Sequence, residues 1–112
     1  MFSSRSRRSA LALAILSVAA STAFAAGEPV IGLVTKTETN PFFVKMKEGA
    51  QEEAKKLGAK LLSGAGKADG DNAGQITAME NMIAAGAKTI LITPSDAKAI
   101  VPAIKKARDK GI

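Results

Sequence analysis

The sequence predicts an α/β fold built on a parallel, doubly wound sheet. Three observations lead there. Short apolar runs rich in β-branched residues recur at 29–35, 59–63 and 88–93, and each is followed by a stretch with helical spacing or a helix-start signal. Only a few residues join one element to the next, as in units whose parallel strands are linked by right-handed helical crossovers. The first run, PVIGLVT, is nearly continuous in apolar residues, the pattern of a strand covered on both faces.

Ahead of these elements, MFSSRSRR carries three arginines and no acid. Residues 10–20 (ALALAILSVAA) are almost wholly apolar, and Ala23-Phe24-Ala25 places small residues where a signal peptidase reads. That order is a secretory signal peptide, cleaved after Ala25. The apolar stretch is shorter than the ~20 residues that span a bilayer, which argues against an anchor and against stable membrane insertion after cleavage. Ser6-Arg7-Arg8 is a poor twin-arginine signal, because Ala10 stands where a bulky residue is favoured. The 112 residues therefore divide into a leader, 1–25, and one α/β unit, 26–112, in an exported protein.

In the α/β unit, Asn40-Pro41 follows the first strand. Asn is a strong N-cap and Pro suits the first helical position. Phe43, Met46, Ala50, Ala54 and Leu57 then repeat on one side of a helix whose other side is charged, and Gly58 stops it. After the strand at 59–63, a loop is expected over Gly64–Gly70, and Asp71 or Asn72 caps a second helix with Ile76, Met79 and Ile83 on its buried side. Gly86 closes that helix. The third strand is 88–93, and Ser95-Asp96 leads towards a third helix. A proline deep inside a helix costs ~3 kcal/mol, so a short turn over 96–100 and a regular helix from about Pro102 to Lys110 are expected. Ile112 reads as the start of a fourth strand, which makes the unit an incomplete lobe with one sheet edge unpaired.

Composition removes several functions. The formal charge of +6 falls to +3 without the leader's Arg5, Arg7 and Arg8. Lysines and acids alternate along 45–56, a solvated helix face and not a nucleic-acid stripe, and the chain has no Trp or Tyr to stack on bases. With neither His nor Cys, catalytic dyads or triads of those residues and Cys/His metal sites are excluded. No cofactor is implied and no enzyme is expected.

In open α/β sheets, ligands bind beyond the carboxyl ends of the strands. Three segments lie there: 35–43, 63–72 and 93–97. In the first, Phe42 and Phe43 are neighbours on a helix and point about 100° apart, so one can pack inward while the other lines a cleft. An aromatic face suits the C–H side of a sugar ring, and the Asn40 amide offers a donor and an acceptor to vicinal hydroxyls. The same residues serve equally as an N-cap and as core or staple aromatics. Gly64, Gly66 and Gly70 have the wrong spacing for a dinucleotide fingerprint, and Gly66-Lys67 lacks the rest of a P-loop. Asp69, Asp71, Asn72, Ser95 and Asp96 have the right location, with capping as a sufficient explanation for at least one acid in each loop.

Three segments carry a resemblance: Ile31-Gly32-Leu33-Val34-Thr35, Asn40-Pro41-Phe42-Phe43 with Lys47-Glu48-Gly49-Ala50, and Gly86 through Asp96. Together they resemble the opening of the periplasmic ribose-binding protein family, the sugar receptors of bacterial ABC importers. Lys36-Thr37 and the Gly66–Asn72 loop look most like fructose-type members. The resemblance implies an N-terminal lobe of a two-lobe protein that closes on one sugar. It implies sugar contacts for Asn40, Phe42 and Phe43, and less directly for Lys36. The implied partners are a monosaccharide and an ABC transporter permease. The alternative on the same fold is a sensor that presents a sugar or autoinducer to a chemoreceptor or sensor kinase. Nucleic acid is not an expected partner.

Overall fold

The computed structural model describes residues 27–112. The leader expected over 1–25, with its cleavage site, lies outside the described residues. Six elements follow in order: β1 (Val30–Thr35), α1 (Pro41–Lys56), β2 (Lys60–Ala65), α2 (Asn72–Ala84), β3 (Thr89–Ile92) and α3 (Val101–Asp109). The strands form one parallel sheet in the order β2-β1-β3. Val30 pairs with Lys60 at one end of β1–β2 and Thr35 with Ala65 at the other, while Ile31 to Val34 pair with Thr89 to Ile92. All three strands end together, and the loops that follow them share one edge of the sheet.

Strand alternation divides the apolar residues between two faces. Val34, Met79, Met82, Ala87, Ile100, Ala103 and Ala107 form the buried core, with Val30, Leu62, Ile90 and Ile92 packed against it; this is the face covered by α2 and α3. Leu33 points the opposite way, where α1 lies against β1 and β2 and contributes Phe43 and Ala54. The sheet is thus doubly wound, as expected. Cover is uneven: Leu91 of β3, on the α1 side of the sheet, is 54% exposed.

Most boundaries agree with the residue pattern, with three corrections. First, β2 runs two residues past the expected end, because Gly64 and Ala65 pair with Val34 and Thr35. A glycine inside a strand often marks close approach of another element. Here a Cβ on Gly64 would stand 2.8 Å from the Cβ of Ala78 on α2. Second, Leu57 is 68% exposed. It is the C-cap of α1, one residue before Gly58 turns the chain at φ 69°, and so it has left the buried side. Third, Ile112 is not in a strand. Its N–H closes onto Ala107 O at 3.0 Å and its side chain packs on the core. The late start of α3 is as expected, with Pro102 in its first turn.

Candidate ligand site at the strand ends

The segment after β1 is tied down by a short relay. Thr35 Oγ1 donates to Thr37 O at 3.1 Å, and Asn40 N–H donates to Thr37 Oγ1 at 3.1 Å. This turns the chain into α1 with Asn40 extended at φ −71°, ψ 123°. Asn40 Oδ1 accepts from Phe42 N–H at 2.9 Å, and Asn40 O accepts from Phe43 and Val44. Asn40 is therefore an N-cap. Its amide N–H pair makes no hydrogen bond among the described residues, so capping uses only half of the side chain.

The two aromatics divide as their angular spacing predicts. Phe43 is buried at 8% exposure and Phe42 is 65% exposed. Their rings meet edge to face, with centroids 5.2 Å apart and planes at 81°. That contact holds Phe42 from one side while leaving its ring open to solvent. Lys36, at the mouth of β1, reaches Asp69 in the β2–α2 loop at 3.6 Å. All four predicted site residues thus lie in one strand-to-helix segment at the carboxyl edge of the sheet. A groove of about 540 Å³ follows the exposed edge of β2 along α2, past Leu62, Gly64, Thr77 and Ala78. Asn40 and Phe42 do not line it.

The glycine-rich loop is turned inward on a carboxylate. Asp71 accepts from Lys67 N–H at 2.9 Å and from Gly74 N–H at 3.0 Å. Those two backbone bonds hold its carboxyl below the ordinary carboxylate range. Two of the loop's N–H groups are thereby already in use on the chain's own carboxylate. Asp96 plays the same part after β3: it accepts from Ala99 at 2.9 Å and Lys98 at 2.7 Å, and its carboxyl is likewise held low. Asn72 Oδ1 is buried without a partner among the described residues.

Gln75 is the residue the sequence reading missed. It is fully buried on α2, and its carboxamide reaches all around. Nε2 donates to Thr35 O at 3.0 Å and to Thr93 O at 2.9 Å, and Oε1 accepts from Ser95 N–H at 2.9 Å. Ser95 Oγ in turn accepts from Gly70 N–H at 3.1 Å. The three strand-end loops are joined through these bonds. A signal for this was present: Gln75, Met79 and Met82 fall at the i, i+4, i+7 spacing of one helix face, and all three are buried.

The site can offer an exposed aromatic face, free amide donors and a lysine. Residues 31–112 match the model of the periplasmic binding protein domain. The chain belongs to the periplasmic binding protein family. Among curated relatives, this periplasmic binding protein is similar to the D-ribose/D-allose-binding protein of Pseudomonas aeruginosa, 40% identical over 87 residues, which cover 76% of the chain. It spans about 27% of that relative's length. Among solved structures, it is similar to an ABC transporter solute-binding protein from Burkholderia multivorans, at 40% identity and TM-score 0.73, over 78% of this chain and 31% of that one. A periplasmic solute-binding protein from Actinobacillus succinogenes with bound D-allose is similar at 35% identity and TM-score 0.71, over 76% of this chain and 30% of the other.

Proposed function

We propose that this chain is the N-terminal part of an exported, non-catalytic solute-binding protein that binds a monosaccharide and delivers it to an ABC importer. Residues 1–25 are its cleaved signal peptide and residues 26–112 its N-terminal lobe. Asn40, Phe42 and Lys36 form one wall of the sugar cleft, and Phe43 backs that wall from inside, edge to face with Phe42. The observation that carries this reading is the 65% exposed ring of Phe42, two residues after Asn40 with its free amide donors, at the carboxyl edge of a parallel sheet. An open aromatic face can cover a sugar's C–H side while the sugar's hydroxyls meet the amide. One wall buries less of a ligand than a closed pocket does, so affinity rests on a second wall opposite.

Titration calorimetry with a panel of pentoses and hexoses tests the reading. It is run on the chain and on the product of any reading frame that continues past codon 112. D-fructose, D-ribose and D-allose come first. Saturable heat with one of them is expected. No heat with any sugar but a clear response to an amino acid or a signalling molecule would overturn the substrate class and favour a sensing role. N-terminal sequencing of the exported protein should begin at Ala26.

A further inference from the structure

Gln75 has no place in the proposed sugar contacts, yet its side chain is better connected than any of them. It shows no exposed surface. Burying a carboxamide is costly unless its polar atoms are satisfied, and here both N–H groups and the oxygen are used. The partners are main-chain atoms, and they are not on one element. Thr35 O closes β1, while Thr93 O and Ser95 N–H open the segment after β3. Three bonds from one rigid, planar group define a distance and an angle between those two chain segments. Ser95 extends the link to Gly70 in the third loop. One residue beyond Thr35 stands Lys36, and the Thr35–Thr37–Asn40 relay passes the same anchor on to the start of α1.

From this geometry we infer that Gln75 is a positioning residue for the candidate cleft: it sets the spacing of the strand-end loops and, through Thr35, the placement of Asn40 and Phe42. The inference rests on the sugar-cleft reading for its functional meaning, but the loop spacing is testable without it.

Gln75→Glu separates the chemistry from the volume. The replacement has nearly the same shape and can still accept from Ser95 N–H. At neutral pH, however, it sets a carboxylate oxygen against the carbonyl oxygens of Thr35 and Thr93. Burial and those facing oxygens raise the pKa of the new carboxyl. Protonation restores one donor. The charged groups of the surrounding loops are the Lys36–Asp69 pair, Glu38, Lys67, Asp71, Asp96 and Lys98. Asp71 and Asp96 are held low by backbone bonds, opposite in direction to the raised carboxyl of Gln75→Glu, so they titrate below it.

Hydrogen–deuterium exchange by mass spectrometry, on the full chain at matched pH, gives the decisive readout. Relative to the unsubstituted chain, Gln75→Glu should lose about ten-fold protection in segments 36–44 and 93–99 at pH 8, the scale of two lost hydrogen bonds. The gap should close to about three-fold near pH 4.5 as one bond returns. Equal protection at every pH would mean that Gln75 only fills space, and would overturn the inference. If Gln75→Glu unfolds at both pH values, Gln75→Met decides: it keeps the volume and lacks all three bonds. Selective loosening of the same two segments supports the inference, and unchanged protection overturns it. Calorimetry with D-fructose, D-ribose and D-allose runs alongside. Where a sugar binds, its affinity should fall in Gln75→Glu at pH 8 and recover towards pH 5, whereas altered exchange with unaltered affinity overturns the positioning role. An unsubstituted chain that binds none of these sugars removes the cleft reading and leaves the exchange result to decide on loop spacing.

Discussion

Asn40 puts its one side-chain oxygen to work on its own helix and keeps its N–H groups free. That division predicts how its variants part company. Asn40→Ala removes the cap and should cost about 1 kcal/mol of stability in a denaturant melt. Asn40→Asp keeps the accepting oxygen and adds a charge favourable at a helix N-terminus, so stability should be retained. It removes the amide donors, so any sugar affinity should fall in both variants. A second residue-scale prediction concerns acid. Asp71 has a depressed pKa in the fold, from Lys67 and Gly74 N–H. A depressed carboxyl contributes stability above its unfolded pKa, about 3.9, and that contribution is lost as pH falls through the lower folded value. Melts taken from about pH 5 downwards should show a shallower loss in Asp71→Asn than in the unsubstituted chain. At this scale much was legible beforehand. Asn40 as cap, the split between Phe42 and Phe43, and Asp71 ahead of α2 all follow from the chemistry of single side chains near helix starts. Gln75 did not, because its partners are main-chain atoms 18 to 40 residues away; its spacing with Met79 and Met82 marks the buried face of α2 but not those bonds. Lys36 finding Asp69 was invisible for the same reason.

Among the elements, the sheet–helix contacts turn on two glycines that differ in what faces them. A Cβ on Gly64 would meet the Cβ of Ala78 at 2.8 Å, an atom fixed to the backbone of α2. A Cβ on Gly32 would meet Met82 Sδ at 2.6 Å, near the end of a flexible side chain. Overpacking a close-packed core costs about 1–3 kcal/mol, less where the neighbour can change rotamer. Gly64→Ala should therefore lower thermal stability more than Gly32→Ala, and equal losses would mean that Met82 is as immobile as the helix. The same contact explains the misread end of β2. Glycine is a poor strand former and a frequent loop residue, so Gly64 reads as punctuation until α2 is seen lying against it. Element order and type were readable from periodicity. The exposure of Leu57 was not, because helical spacing continues through a residue that the C-cap has already turned away.

For the whole molecule, the outer edge of β3 carries the main liability. Among the described residues β3 pairs only with β1, and Leu91 beside that edge is 54% exposed. An unpaired edge next to an apolar face is a template for another chain. Residues 26–112 expressed alone should self-associate in a concentration-dependent way by sedimentation velocity, and Leu91→Lys should shift the distribution towards monomer. A sharp cooperative melt from a monomer at high concentration would contradict this.

The strand order has a temporal side. β1 is made first, yet it is the middle strand, and its two neighbours are Lys60–Ala65 and Thr89–Ile92. Its backbone N–H and C=O groups cannot all find partners until synthesis has passed Ile92, because contacts between residues so far apart must wait for the loop between them to close. A nascent chain of this design has no early resting place. Until then β1 is open along one side to handling by other proteins, and pairing with Thr89–Ile92 is the step that covers it on both.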